Sequence, residues 1–390
     1  AVGGYAISEN TLGPNPVAAI DPDAGANLTY SITGGGDAAL FTMNGAGVLS
    51  LINAPNFEAP ADQNGDNVYE VIVQASDGTL TDTQTINVTV TNANEAPVIT
   101  SGGGGPSTVI PRVENSTTVT TVVAADPDAG ASLVFSILAG RDGTRFAIDP
   151  ATGLLTFATA PDFEVPTDLN GDNVYEVDVQ VSDGLGGTDV QTIFVNLGNL
   201  NEAPTITSNG GGATGGYTIF ENTLGPNAVM ATDPDAGANL TYSIIGGADA
   251  ALFTMDGAGV ISLVNAPNFE APADQNGDNV YEVIVQVSDG SLTDTQTISL
   301  TVLNANEAPV ITSNGGGAFG GYTISENTLG PNPVVAVDPD AGANLTYSIT
   351  GGADAALFTI NGAGVLSLIN APNFEAPADQ NGDNDYDIVV

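Results

Sequence analysis

The chain of 390 residues contains no histidine, no cysteine and no tryptophan, and its only cations are Arg112, Arg141 and Arg145, so lysine is missing as well. Each absence removes a class of chemistry. Without imidazole or thiol there is no histidine base, no thiolate nucleophile, no disulfide and no zinc or iron site of the usual ligand sets. Without lysine there is no Schiff base, no phosphate-loop lysine and no basic footprint for nucleic acid. No apolar run reaches the roughly 18 residues of a membrane span. The opening residues show neither the basic nor the apolar region of a signal peptide. A lack of cysteine is compatible with any redox compartment. Oxygen is what remains in quantity: 46 Asp and Glu give a formal charge of −43. Carboxylates, amides and hydroxyls are ligands for hard cations such as Ca²⁺.

Self-similarity sets the organisation. Asp-Pro-Asp begins at Asp21, Asp126, Asp233 and Asp338, offsets of 105, 107 and 105. Asn-Glu-Ala-Pro places Glu95, Glu202 and Glu307 at offsets of 107 and 105. Such a period is too long for a helical solenoid and suits a whole small domain. Four units are expected: 1–96, 97–203, 204–308 and 309–390. Units one, three and four are nearly identical, whereas unit two has diverged and holds all the arginines. Unit one lacks the Pro-x-Ile-Thr-Ser lead-in and unit four lacks the last strand, so the expectation is a segment of a longer array.

Within a unit the apolar period is two. Residues 280–287 read Val-Tyr-Glu-Val-Ile-Val-Gln-Val and 297–302 read Thr-Ile-Ser-Leu-Thr-Val, alternations that give a strand one buried face. Further strands are predicted at 217–220, 228–232, 240–245, 260–264 and after Pro204, with turns such as Asp289-Gly290 between them. About seven short strands in roughly 105 residues indicate an all-β, immunoglobulin-like sandwich. A helical turn is predicted at 249–253 with Asp249 as its N-cap. The glycine runs 102–105, 210–212 and 315–317 read as flexible loops inside a unit, and Asn-Glu-Ala-Pro as the linker.

Acids recur at fixed places in each unit. Glu-Asn comes early (Glu9, Glu114, Glu221, Glu326), x-Phe-Glu in the middle (Asn56 and Glu58, Asp162 and Glu164, Asn268 and Glu270, Asn373 and Glu375), and Asn-x-Asn-Glu in the linker. The next unit then supplies Asp-Pro-Asp and a late Ser-Asp-Gly (Asp77, Asp183, Asp289).

This constellation resembles cadherin repeats, specifically the bacterial cadherin-like domains of large surface adhesins and fibre proteins, and it covers essentially the whole chain. The resemblance implies seven-stranded Greek-key sandwiches in tandem, outside the cell, with about three Ca²⁺ clamped between successive domains. Carried over by position, the first junction uses Glu9, Glu58, Asn94 by its carbonyl, Glu95, Asp126, Asp128 and Asp183. The second uses Glu114, Asp162, Glu164, Asn201, Glu202, Asp233, Asp235 and Asp289, and the third Glu221, Glu270, Asn306, Glu307, Asp338 and Asp340. The sequence departs from the family pattern where Asn92, Asn199 and Asn304 begin the linker in place of Asp and Ala96, Ala203 and Ala308 replace its last Asn. Asn56 and Asn268 also replace an Asp, so ligand charge falls and two to three ions per junction is the expectation, at the weak affinities of about 10⁻⁴–10⁻³ M common in extracellular modules.

The residues give independent support. Glu9, Glu58, Glu95, Asp126, Asp128 and Asp183 would repel one another by several kcal/mol at close range, and no lysine or arginine is placed among them. A second acidic loop follows in every unit: Asp62, Asn64 and Asp66; Asp168, Asn170 and Asp172; Asp274, Asn276 and Asp278; Asp379, Asn381 and Asp383. Its alternating oxygens resemble half of an EF-hand loop, without the distal glutamate; a solvated turn is the other reading. Paired carboxylates also occur in glycosidases, but catalytic pairs are not normally copied into every unit of an array, so no enzyme is expected. The expected role is a calcium-stiffened stalk whose partners are further repeats of the same longer chain. Identical chains in a fibre, or recognition of a cell or glycan through unit two, are the alternatives. Neither nucleic acid nor membrane insertion is expected.

Overall fold

The computed structural model describes residues 2–23 and 25–390, and every regular element among them is a β-strand or a single 3-10 turn. The apolar residues gather in four cores. Leu49, Tyr69, Val71 and Val88 anchor the first; Leu155, Tyr175, Val177 and Val195 the second; Ile261, Tyr281, Val283 and Leu300 the third; Val334, Phe358, Leu366 and Leu368 the fourth. Each core draws on one repeat of the sequence. The chain divides into two compact units, residues 1–200 and 201–390, each with two cores.

In the first unit, repeat two shows the architecture in full. Along Val174–Ser182 the alternation turns Tyr175, Val177, Val179 and Val181 inward, all at most 1 % exposed, with Glu176, Asp178 and Gln180 on the other face. Burying each aliphatic side chain contributes about 1.5–3 kcal/mol. That strand pairs antiparallel with Thr188–Gly198 on one side and Val134–Ile137 on the other. Ser107–Val113 closes this four-stranded sheet, running parallel to Thr188–Gly198. Thr118–Thr121, Leu154–Phe157 and Phe146–Ile148 form the facing antiparallel sheet. Phe157 stacks on Phe146 at 4.7 Å and meets Tyr175 edge-on at 5.1 Å, so aromatic rings join the two layers of the sandwich.

Repeat one has the same four-stranded sheet, with Val2–Ser8 parallel to Thr81–Thr91. In the second unit, repeat three has Thr214–Phe220 parallel to Thr293–Leu303. This parallel pairing lies outside the sequence expectation, because a period of two marks faces and not direction.

Local expectations differ from the structure at several places, each for a visible reason. The strand predicted at 228–232 divides into Asn227–Ala228 and Ala231–Thr232, which pair in different sheets. Met230 lies between them, its carbonyl accepting from Thr207 N at 2.8 Å. Phe253–Met255 is an additional short strand. The turn after Asp249 is present as Ala250–Leu252, but Asp249 does not cap it through its side chain. Its carboxylate instead accepts the backbone N–H of Gln275 at 2.7 Å and Glu282 at 2.8 Å. Asp37, Asp142 and Asp354 do the same in their repeats.

The glycine runs at 102–105 and 210–212 are anchored, contrary to the flexible loops expected. Fully buried Gln191 donates to the carbonyls of Ser101 and Gly105 at 3.1 and 2.8 Å. Gln296 donates likewise to Ser208 and Gly212 at 3.2 and 3.1 Å. In repeat four, residues 320–325 form no strand although their counterparts do. Those counterparts each pair with a parallel strand, Thr81–Thr91 in repeat one and Thr293–Leu303 in repeat three.

Candidate metal centre

Glu-Asn is first of all a structural device. Asn10, Asn115, Asn222 and Asn327 take φ of 60, 62, 61 and 63°, the left-handed region that asparagine tolerates better than most residues. The bend ends the preceding segment, and Asn10 N donates to Pro55 O at 2.9 Å. Glu9 is thereby turned inward and is 1 % exposed. Its Oε2 accepts Phe57 N and its Oε1 accepts Ala93 N, both at 2.8 Å. One buried carboxylate therefore fixes the mid-repeat Asn-Phe-Glu segment and the linker together, and the two N–H donors offset its loss of water. Glu221 holds Phe269 N and Ala305 N in the same way, and Glu114 holds Phe163 N and Leu200 N. Glu326 accepts Phe374 N at 3.0 Å.

In the first unit the acids of repeats one and two converge. Glu9, Glu58 and Glu95 each place a carboxylate oxygen within 4.8 Å of the others. Glu95 N donates to Asp128 Oδ2 at 2.9 Å, which draws the Asp-Pro-Asp turn of repeat two onto the linker of repeat one. Within that turn Asp128 N donates to Asp126 Oδ1 at 2.9 Å, an Asx turn. Asp183 accepts Asn94 Nδ2 at 2.7 Å and the backbone N–H groups of Leu185, Gly186 and Gly187. The Asn94 amide, helped by those backbone donors, holds its carboxyl below the usual range despite burial. In the second unit Glu221, Glu270 and Glu307 are gathered within the same 4.8 Å, and Glu307 N donates to Asp340 Oδ2 at 2.8 Å. Asp340 N donates to Asp338 Oδ1 at 3.0 Å, and Asn306 Nδ2 to Glu307 O at 3.1 Å.

The electrostatics of these clusters are unbalanced. Burial pushes the Glu95 carboxyl up, the Asn10 amide pulls it down, and the charges of Glu9, Glu58 and Asp128 add to the rise. At Glu307 the Asn222 amide pulls down, but burial and the charges of Glu221 and Glu270 leave the carboxyl raised. Buried oxygens of Glu58, Glu95 and Asp126 in the first cluster, and of Glu270 and Glu307 in the other, accept no hydrogen bond. The arginines lie elsewhere: Arg141 pairs with Glu176 and Asp178, and Arg112 donates to the carbonyls of Val119 and Pro111. Anionic oxygens that are buried, close together and lacking donors fit a hard divalent cation.

The second expected junction is described by its two halves. In the first unit Glu114 is pinned as above, Asp162 Oδ1 accepts Val165 N, and Glu164 accepts Asn199 Nδ2 at 3.0 Å. In the second unit Glu202 N donates to Asp235 Oδ2, Asp235 N to Asp233 Oδ1, and Asn201 Nδ2 to Asp289 Oδ2. The Leu292 and Ser291 N–H groups, with that amide, hold Asp289 low.

The second acidic loop closes on itself. Asp62 accepts Asp66 N at 2.8 Å and Asn67 N at 3.3 Å, and Asn64 Nδ2 donates to Asp66 Oδ2 at 2.9 Å. Asp168, Asn170 and Asp172 repeat this, as do Asp274, Asn276 and Asp278. In the fourth loop Asp379 accepts Asp383 N and Asn381 Nδ2 donates to Asp383, but the buried Oδ1 of Asp379 accepts no hydrogen bond. In the first three loops the leading aspartate is mostly buried, with both oxygens turned to backbone donors, as in a turn.

Sequence reasoning missed the asparagine donors. Asn10 and Asn222 donate to Glu95 and Glu307 at 2.7 Å, Asn92 to Asp128 at 2.6 Å, and Asn304 to Glu270 at 2.7 Å. Their recurrence beside each glutamate was the available signal.

No protein-family model matches the chain. Among curated proteins it is similar to human Protocadherin-16, 30 % identical over 370 residues, and to human Protocadherin Fat 1, 28 % identical over 370 residues. Each alignment covers 90 % of this chain but 10 % and 8 % of the relative, so the chain spans about a tenth of proteins of this kind. Among solved structures, the protocadherin γB4 extracellular domain gives a TM-score of 0.52 at 21 % identity, covering 97 % of this chain and 62 % of that one. A protocadherin γB7 EC3–6 cis-dimer structure gives 0.51 at 23 %, covering 95 % and 90 %. The fold is that of cadherin repeats, and the chain is a tandem array of cadherin-like β-sandwiches.

Proposed function

We propose that the chain is an extracellular, non-catalytic segment of a cell-surface adhesion protein, in which Ca²⁺ held between successive repeats sets how far they flex. The observation that carries this reading is the gathering of Glu9, Glu58 and Glu95, and again of Glu221, Glu270 and Glu307, with buried oxygens that accept nothing. Around the first triad, Asp126, Asp128 and Asp183 of the next repeat supply further oxygens, enough for two to three ions. Around the other, Asn306, Asp338 and Asp340 do so. A cation that binds the aligned junction and not the bent or unfolded one stabilises alignment by RT ln(1 + [L]/Kd), about 2.7 kcal/mol at a hundredfold excess over Kd. The near-identity of repeats one, three and four supports a spacer role of the kind found in bacterial surface arrays. The strong negative charge keeps such a segment soluble and away from nucleic acid and anionic membranes.

Small-angle scattering of the chain with Ca²⁺ and then with excess chelator tests the reading. A narrower distribution of interatomic distances with calcium is expected. Identical profiles would remove the ion from the account of stiffness.

A further inference from the structure

We infer that Asn92 is a built-in competitor of the cation at the first junction: its amide occupies Asp128, bridging repeats one and two when no ion is bound. The inference rests on the reading of that junction as a calcium site and specifies how it is regulated. Asn92 Nδ2 donates to Asp128 Oδ1 at 2.6 Å, while Asp128 Oδ2 accepts Glu95 N at 2.9 Å. Both oxygens of this aspartate are thus taken by donors from the linker of the preceding repeat. An amide nitrogen has no lone pair to offer a cation, and its hydrogens stand where a ligand's partner would be. The amide takes one of the two lone-pair sites of Asp128 Oδ1 and sets its positive hydrogens beside any ion on the other, so ligation there is favoured when the amide leaves or turns over to present its own oxygen.

The same position behaves differently at the other linker with both sides in one unit. Asn304 Nδ2 donates to Glu270 Oε1, within its own repeat, and so bridges nothing. Nor is Asn92 alone in crossing, since Asn94 Nδ2 reaches Asp183 of repeat two at 2.7 Å. The first junction accordingly keeps side-chain bridges that do not depend on the ion. Ion entry there exchanges one bridge for another, so the response to calcium is damped.

Peptide-resolved hydrogen exchange of the full chain across a calcium titration tests this, because peptides spanning 92–96 and 124–130 report the first junction and those spanning 304–308 are an internal control. Three proteins are compared: the unaltered chain, Asn92→Ala and Asn92→Asp. In chelator, both variants are expected to exchange faster at the first junction by about tenfold, the size of one net hydrogen bond to a charged group. In calcium, Asn92→Asp should reach half-protection at a concentration at least about threefold lower, since it exchanges a competitor for a ligand charge. Asn92→Ala should lower that midpoint as well, because the competitor is gone. An unchanged midpoint in Asn92→Ala would overturn the competition, and a higher one would make the amide a ligand. Unchanged exchange in chelator would overturn the bridge. No calcium response in the unaltered chain would overturn the calcium reading itself, a result distinct from a response that the variants fail to alter.

Discussion

Replacing Glu9 by Gln tests whether the first glutamate of a repeat is a structural clamp independent of any ion. The two oxygens of Glu9 accept Phe57 N and Ala93 N at 2.8 Å in a site that is 1 % exposed. Glutamine keeps the shape and one acceptor, but it turns an NH₂ toward one of the two donors. An unsatisfied buried donor costs about 1–3 kcal/mol. In a domain of this size each kcal/mol shifts the unfolding temperature by about 4–8 °C, so Glu9→Gln should lower it by roughly 5–20 °C. Calorimetry on the full chain in excess chelator is the assay, since the lost contact is to backbone and needs no cation. The drop should fall on the transition of repeat one and leave repeat three unchanged. An unaltered unfolding temperature in chelator would refute the clamp and leave Glu9 as a ligand alone.

Other consequences are equally concrete. Leu155→Ala removes a side chain with no exposure from the second core and should destabilise repeat two by about 2–5 kcal/mol, read from denaturant midpoints. Gln191→Ala should release the glycine run at 102–105, seen as faster proteolysis there, with Gln296→Ala doing the same at 210–212. Asp149 has its carboxyl held low by the Thr152 N–H and hydroxyl and the Ala151 N–H. Its contribution to stability is therefore present above the ordinary aspartate value near ~3.9 and is lost as pH falls through the lowered folded value. Carboxyl-carbon NMR should show Asp149 titrating below that value, and titration at or above it would contradict the hydrogen-bond account.

Much of this fold is legible in the sequence because its longest strands alternate cleanly. Val280–Ser288 and Thr293–Leu303 include the runs expected at 280–287 and 297–302. Their faces follow from the period alone. Direction does not, so the parallel partner Thr214–Phe220 is invisible until the sheet is assembled. Two-residue strands such as Thr205–Ile206 and Ala231–Thr232 carry little pattern of their own. Asp249 misled for a related reason: an aspartate before a turn looks like a cap, and only the fold brings Gln275 N and Glu282 N to it. At the candidate site, the recurring glutamates and Asp-Pro-Asp turns were visible as motifs. The role of Asn10, Asn92, Asn222 and Asn304 as donors to those acids depends on contacts across 85, 36, 85 and 34 residues, which no local motif encodes.

The central claim is that cations balance the acidic junctions, and calorimetric titration of the intact chain with Ca²⁺ tests it most directly when paired with thermal unfolding in the same samples. Saturable binding of two or more ions, with unfolding temperatures that rise with calcium concentration and fall back on chelation, is the expected result. Absence of binding up to about 10⁻² M, well above the weak extracellular range, with unfolding indifferent to calcium, would contradict it.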